Sequence, residues 1–204
     1  MQHHRSRHLN KPHYAINDGK VIVPLTRGKV AIIDFCDVRR VIKHSWCYAK
    51  RNNREYAESN IKVNGQWQRV LLHRFIMHAK KGEIIDHIDR NGLNCTRKNL
   101  RLATLYQNMH NSKPRGGTSR YKGVFWHKKA KKWCVKIMSH RVNYYLGLFD
   151  DETHAAQAYD HAAKKLHGEF AFLNFPLTPK RASHDTERSD ELVRTAATDA
   201  AIVG

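Results

Sequence analysis

Acidic side chains are scarce in this sequence of 204 residues. It has 18 Asp and Glu residues against 37 Lys and Arg residues, and its formal net charge is +19. An imbalance of this size predicts a polyanionic partner, and nucleic acid is the most common one. The alternatives are a surface that is basic only for solubility and a ribosome-associated protein.

Paired cysteines and long apolar runs are also absent. The four cysteines form no Cys-x-x-Cys pair, so a structural zinc knuckle is not expected, and scattered single cysteines are typical of a reducing cytosol. No apolar run approaches the ~20 residues that a membrane span needs, and no apolar segment follows the basic start of the chain. We therefore expect a cytoplasmic protein that is neither secreted nor membrane-bound. The cysteines are Cys36, Cys47, Cys95 and Cys134.

The positive charge is not spread evenly along the chain. Residues 1–114 carry 22 basic and 8 acidic side chains, and residues 115–176 carry 11 and 5. Residues 177–204 carry 4 and 5, and they include few large apolar side chains. The composition therefore predicts two basic folded regions and a mobile tail that is not a nucleic-acid arm.

The first region is predicted to be rich in β-strands. Runs of β-branched and aromatic residues alternate with turn signals, among them Arg27-Gly28-Lys29 and the hairpin signal Asn64-Gly65. Residues 71–78 are predicted to form a short helix. The predicted strands are 21–25, 30–34, 46–49, 56–60, 61–63 and 67–70.

The stretch from Ile85 to Asn111 carries the side chains of a hydrolytic site. Asp86 stands beside His87, Asn91-Gly92 predicts a turn, and Asn99 enters a second apolar strand. Hydrolysis of a phosphodiester needs an activated water, neutralisation of the phosphate and help for the leaving oxygen, and one divalent cation supplies the last two. Oxygen ligands from Asp and Asn suit a hard cation. A histidine of pKa about 6.5 accepts the water proton at neutral pH.

One geometric condition applies to this arrangement. Adjacent residues on a strand point to opposite faces, so Asp86 and His87 serve one site only if the strand ends or twists there. The turn signal shortly after them predicts that it does. Taken alone, His87 is an ordinary loop histidine and Asn99 an ordinary turn former, and only the whole set at this spacing indicates a nuclease.

The same residues resemble the HNH family of endonucleases, in particular the phage-type homing endonucleases. The resemblance implies a ββα-metal fold in which His87 is the general base and Asn99 fixes the turn and the base. It implies that Asp86 and Asn108 hold one divalent cation, Mg²⁺ or Mn²⁺. The third position of the motif is an asparagine here, and His110 is the alternative ligand. The motifs are Leu72-His73-Arg74, Asp86-His87-Ile88-Asp89, Asn91-Gly92-Leu93-Asn94, Lys98-Asn99-Leu100-Arg101 and Gln107-Asn108.

A second unit follows residues 112–119, which have the composition of a linker. Three strands are predicted at 121–127, 132–138 and 142–149, and alternation places Trp133, Val135 and Ile137 on one apolar face. A helix is predicted from Asp151, its cap, to His167, with Gly168 ending it.

This unit resembles the apetala/ethylene-response-factor DNA-binding domain, through Tyr121-Lys122-Gly123-Val124, Tyr145–Asp150, Ala155–Ala163 and Leu173–Pro176. The resemblance implies a three-stranded antiparallel sheet in the major groove, backed by one helix. Its DNA-contacting side chains would be Phe125, His127, Lys136, Asn143 and Tyr145 on the open face, and Lys122, Lys129 and Arg141 at phosphates. The target sequence of the plant proteins does not carry over, because the residues on that face differ.

The sequence as a whole predicts an α+β protein with an HNH endonuclease domain at 14–111, a linker at 112–119, the DNA-binding domain at 120–176 and a mobile tail at 177–204. The predicted function is a metal-dependent DNA endonuclease of the site-specific homing type, acting on double-stranded DNA in a bacterial or phage-infected cell. No protein partner is implied. The alternatives are a DNA-binding transcriptional regulator with an inactive nuclease fold and a basic RNA-associated protein.

Overall fold

The computed structural model describes residues 13–14 and 19–176. By contact density the chain divides into two compact units, Met1–Asn174 and Phe175–Gly204, and the helices and strands described below belong to the first. The predicted mobile tail at 177–204 lies outside the described residues. Strands form small antiparallel sheets and helices are interspersed between them, so the predicted α+β class is confirmed.

Two three-stranded sheets build the first half of this unit. The first contains β1 (His13–Tyr14), β2 (Lys20–Pro24) and β3 (Val30–Asp34), and the second contains β4 (Cys47–Arg51), β5 (Arg54–Val63) and β6 (Gln66–Leu71). Between them lies α1 (Val38–Val41), which the sequence analysis missed.

The division of β5 into two predicted strands, 56–60 and 61–63, is wrong. Ala57, Ser59 and Ile61 are all buried, so the inward-facing alternation runs through the predicted break. A single strand of ten residues therefore pairs with β4 along its first half and with β6 along its second.

The motif region follows as strand, strand and helix. After α2 (Leu72–Ile76) come β7 (Ile84–His87), β8 (Leu100–Ala103) and α3 (Leu105–His110), with β7 and β8 antiparallel. Thr104 and Gln107 form a reciprocal capping box at the start of α3.

The loop between β7 and β8 is attached to the first sheet. Leu93 accepts a hydrogen bond from the Ile32 amide at 2.9 Å, and the Cys95 amide donates back to the Ile32 carbonyl at 2.8 Å. Gly92 in this loop touches β5 so closely that a Cβ there would overlap the Glu55 carbonyl oxygen and press on the Tyr56 ring. The loop is therefore held by main-chain contacts on two sides.

The second half of the unit has its own hydrophobic core. It contains β9 (Val124–His127), β10 (Lys132–Ser139) and β11 (Val142–Phe149), in the order β11-β10-β9, and α4 (Glu152–His167). The Asp151 side chain accepts from the His154 amide at 2.7 Å, and Gly168 is the C-cap with φ +55°, so the predicted limits of this helix are confirmed. The core is formed by Val124, Val135, Ile137, Ala155, Ala156, Tyr159 and Ala163. No helix in the described part of the chain is long and apolar enough to cross a membrane.

Candidate active site

A cavity of about 710 Å³ lies where the motif side chains converge. Asp86, His87 and Asn108 line it together with His73 and Asn111. Basic residues also line it, and they suit it to a phosphate-rich ligand. These are Arg54, Arg74, Arg90, Lys113 and Arg115, of which the last two belong to the segment predicted to be a linker.

Both Asp86 and His87 reach this cavity because β7 ends at His87 and a turn follows at once. His87 is the last residue of the strand, and its carbonyl accepts a hydrogen bond from the Arg90 amide at 2.9 Å, which closes a turn. Arg90 has φ +64°. The chain therefore stops alternating at this point, and the geometric condition for a shared site is met.

The His87 ring is buried, and one of its nitrogens makes no hydrogen bond to the described residues. Its Nε2 atom has no hydrogen-bond partner among the described residues, and its ring centroid lies 4.7 Å from that of His73. Burial lowers the pKa of His87 to about 4, against an opposing effect of Asp89 and Asp86. At neutral pH the imidazole is therefore uncharged and has a lone pair for a proton.

The Asp86 carboxylate is buried and held from two directions. Its Oδ2 accepts from Arg101 Nε at 3.0 Å and Arg101 Nη2 at 2.8 Å. Asn111 Nδ2 donates to Oδ1 at 3.1 Å, to Oδ2 at 3.0 Å and to the His87 carbonyl at 2.9 Å. Oδ1 thus has a single protein donor, and a lone pair remains for another ligand.

Asn99 lies in the turn after His87. Its Nδ2 donates to Asp89 Oδ1 at 2.9 Å and to the Asn94 carbonyl at 2.8 Å, and its Oδ1 accepts from the Asp89 amide at 2.9 Å. Its carbonyl accepts from the Ile88 amide. These contacts make Asn99 a residue that fixes the turn, and it acts on His87 through the backbone.

The two alternative ligands on α3 lie in different surroundings. Asn108 lines the cavity, whereas His110 is absent from its lining and stacks on His167, with ring centroids 3.6 Å apart and planes 8° from parallel. This placement favours Asn108 over His110.

Three residues of the site were missed or undervalued in the sequence analysis: Arg101, Asn111 and His73. Arg101 lies opposite Asp86 in the β7–β8 register, but the twelve residues between the strands conceal that register in the sequence. Asn111 follows α3 as its C-cap, three residues beyond the expected ligand. His73 lines the cavity, and burial lowers its pKa to about 3.

Whether these residues fit a divalent cation can be judged from their donors. The described residues contain no cluster of three or more His, Cys, Asp or Glu able to hold a metal ion. The cavity nevertheless offers the Asp86 carboxylate and the Asn108 amide, and Mg²⁺ is usually bound by one or two carboxylates, waters and substrate phosphates. The oxygen donors present therefore fit a hard cation that shares its coordination with substrate.

The five side chains predicted for the open face of the second sheet lie together on one face. Lys136 pairs with Tyr145 and lies beside Phe125, its Nζ 5.6 Å from the ring centroid. His127 lies opposite Lys132, and Asn143 lies opposite Met138. All five predicted face residues are exposed, and Lys129 is exposed in the hairpin between β9 and β10.

Two residues predicted to contact phosphates also have partners inside the protein. Lys122 Nζ donates to the carbonyls of His110 at 2.6 Å and Ser112 at 2.8 Å, and burial lowers its pKa to about 8. Arg141 Nε donates to the Tyr106 hydroxyl at 2.6 Å. His110 and Tyr106 lie on α3 and Ser112 just after it. Lys122 and Arg141 therefore join the second half of the unit to the helix that carries Asn108.

The chain is similar to known proteins of two kinds. The HNH endonuclease family model matches residues 70–110. An uncharacterised HNH endonuclease of Acanthamoeba polyphaga mimivirus is 31% identical over 156 residues, covering 72% of this chain and 76% of the relative. Protein 3.8 of Escherichia phage T7 is 37% identical over 92 residues, covering 45% and 75%.

Part of the chain also matches plant proteins. The APETALA2-like protein 2 of Oryza sativa subsp. indica is 40% identical over 65 residues, which are 32% of this chain and 15% of that protein. No solved structure gives a significant match.

Proposed function

The chain belongs to the HNH endonuclease family, and on that premise we propose that it is a metal-dependent endonuclease that hydrolyses phosphodiester bonds in double-stranded DNA. One observation carries the proposal: a buried, neutral His87 with an unpartnered Nε2 lines the same basic cavity as Asp86 and Asn108. A general base needs an available lone pair, and this nitrogen has one in a residue that lines a basic cavity.

In the proposed reaction His87 Nε2 takes a proton from the attacking water. The main-chain turn fixed by Asn99 and the hydrogen bond from Asn111 to the His87 carbonyl hold the ring in place. Burial of the ring keeps it unprotonated before the reaction, so nearly all molecules are competent at neutral pH.

Asp86 and Asn108 would hold the divalent cation. When bound, such a cation neutralises charge on the phosphate and stabilises the leaving 3′ oxygen. The protein's own contribution is to orient the carboxylate, since Arg101 and Asn111 hold Asp86 by hydrogen bonds.

Basic residues at the cavity would hold the neighbouring phosphates. Arg54, Arg90 and Arg115 line the cavity together with His87. A guanidinium can make paired hydrogen bonds to phosphate oxygens, so these residues suit the binding of phosphates there. The open face of the second sheet would bind the major groove through Phe125, His127, Lys136, Asn143 and Tyr145. The partial similarity to plant APETALA2-like proteins supports this part of the proposal. A separate DNA-binding surface beside the nuclease site would direct cleavage to chosen sequences, so we propose site-specific cleavage of the homing type.

The second candidate is a DNA-binding regulator with an inert nuclease fold, which the same plant similarity favours. One experiment separates the two. The full chain is incubated with supercoiled plasmid in buffer with Mg²⁺, with Mn²⁺ and with EDTA. Nicked or linear product that requires metal supports the nuclease. A mobility shift with intact plasmid under every condition supports the regulator and overturns the nuclease.

A further inference from the structure

The second half of the unit contacts the motif region at Arg101 on β8 and at the C-terminal end of α3. We infer, on the basis of the proposed nuclease function, that residues 120–174 complete the catalytic site by holding Arg101 and α3, in addition to binding DNA. Arg101 and Lys122 are the positioning residues that transmit this effect.

Arg101 is shared between the two halves. Two of its nitrogens bind Asp86, and the third, Nη1, donates to the Glu169 carbonyl at 2.7 Å. The Phe170 ring centroid lies 3.9 Å from the guanidinium carbon. The Arg101 side chain is 12% exposed, so these contacts provide much of its surroundings. A guanidinium with partners on every edge has one orientation, and it therefore gives the Asp86 carboxylate one orientation.

Lys122 acts on the other wall of the cavity. Its ammonium donates to the carbonyls of Met109, His110 and Ser112, which lie at the C-terminal end of α3 and just beyond it. A cation at a helix C-terminus is stabilising, and a helix of six residues is marginal without such support. Lys122 therefore holds in place the helix that carries Asn108 and the Asn111 that follows it.

Two further contacts repeat this pattern. The stacked rings of His110 and His167 and the hydrogen bond from Arg141 to Tyr106 both join α3 to the second half. A flexible tether would not need four contacts of this kind, all directed at β8 and α3. Loss of these contacts is therefore expected to reduce turnover more than affinity.

The test uses the full chain with the variants Lys122→Met and Phe170→Ala, which change neither the cavity lining nor the open face of the sheet. Leu146→Ala is the matched control, because Leu146 packs against the second core and makes none of the contacts to β8 and α3 named above. Single-turnover cleavage at saturating DNA should slow about tenfold or more in both variants, since small misplacements of catalytic groups are costly. The dissociation constant for DNA should change less than about threefold. Lys122→Arg should recover most of the rate, because a guanidinium reaches the same carbonyls.

A second measurement does not depend on cleavage. Amide hydrogen exchange at residues 105–111 should be faster in Lys122→Met than in the wild type and the control. Full rates and unchanged exchange in Lys122→Met would overturn the inference. A wild type that does not cleave DNA would instead refute the nuclease, and the exchange measurement would still decide whether Lys122 holds α3.

A different observation carries a second inference. A groove of about 660 Å³ lies on the sheet of β4, β5 and β6. In the β5–β6 register Asn60 pairs with Arg69 and Lys62 with Trp67, and these four residues share a face with Tyr56, which lines the catalytic cavity. The groove and the cavity are therefore neighbours on one face.

The groove is basic and carries an exposed aromatic ring. Lys43, Lys62 and Arg69 line it against a single acid, Glu58, and Trp67 is 61% exposed. From Tyr56 to Lys62 the strand advances six residues, or about 20 Å, which equals the rise of roughly six base pairs along the axis of a DNA duplex. We propose, again on the basis of nuclease function, that this groove binds the DNA backbone about six base pairs from the cut.

Substrate length tests this placement. Lys43→Gln/Lys62→Gln is compared with Lys164→Gln/Lys165→Gln, which makes the same charge change on α4. Duplexes that span the mapped cut are shortened from each end in turn. The groove variant should weaken binding to long duplexes and reduce the log–log salt slope by about 0.9 for each lost contact. Removal of one flank should abolish the difference from wild type. Equal weakening on every duplex, or none, would refute the groove. Wild type that fails to bind DNA would refute the proposed function itself.

Discussion

Arg101 Nη2 lies 2.8 Å from the Asp86 carboxylate, and the two residues are directly opposite each other in the β7–β8 pair. Their side chains are 12% and 6% exposed. The ion pair is therefore shielded from solvent, and each partner depends on the other for the compensation of its charge.

Replacement of Arg101 by Ala should destabilise the protein by about 3 kcal/mol, because it leaves the Asp86 charge buried without its partner. The double variant Arg101→Ala/Asp86→Ala should lose less than the sum of the two single variants. Urea unfolding of the four proteins measures the coupling. Additive losses would mean that the pair contributes nothing to stability.

Replacement of His87 by Ala should lower the cleavage rate about 100- to 10,000-fold, since a positioned base contributes on that scale. DNA binding should be nearly intact. His161→Ala is the control, as His161 is an exposed histidine on α4. A His87→Ala variant that keeps more than about a tenth of the wild-type rate would exclude His87 as the base.

Acid should destabilise the protein below pH 6.5. Burial lowers the pKa of His87 to about 4 and that of His73 to about 3, while in the unfolded chain both have ordinary values near 6.5. Between these limits the unfolded state binds more protons, so stability falls as the pH falls. The melting temperature at pH 7.5 and pH 5 measures the effect, and His73→Gln should reduce it. Equal pH dependence in wild type and His73→Gln would contradict this account.

Activity should follow a different pH range from stability. Because His87 remains neutral down to about pH 4, the loss of base should not limit cleavage at pH 6. Single-turnover rates on DNA, measured at temperatures well below melting, test this. A rate that halves near pH 6.5 would indicate a histidine with an ordinary pKa as the base.

Metal dependence should distinguish the two candidate ligands on α3. EDTA should stop cleavage, and Mg²⁺ or Mn²⁺ should restore it. Asn108→Ala should raise the Mg²⁺ concentration needed for half-maximal rate, whereas His110→Ala should leave it unchanged, because the His110 ring lies against His167. The opposite order would assign the ligand to His110.

The sequence predicts well what depends on neighbours along the chain. The limits of α4 follow from Asp151 and Gly168, and Asn91-Gly92 marks a turn that closes with the hydrogen bond from the Asn94 amide to the Asn91 carbonyl. Both are local signals, because a cap or turn acts within a few residues. The open face of the second sheet follows from alternation, which needs only the strand itself.

The sequence fails where distant segments meet. Lys122 and Arg141 carry the charge expected of phosphate-binding residues, and their side chains also reach α3, a contact that charge alone does not predict. The partnership of Arg101 with Asp86 depends on a register that spans a long loop. The predicted linker likewise lines the catalytic cavity, because its position is set by contacts on both sides of it.

The close packing at Gly92 restricts which amino acids this position can accept. The space at this residue holds a hydrogen atom and nothing larger, because the carbonyl of Glu55 and the ring of Tyr56 close it. Every missense change in its codon therefore pushes the loop that carries the motif away from β5. In a random mutagenesis screen for active clones, this codon should tolerate only synonymous changes, even though the side chain it encodes takes no part in the chemistry.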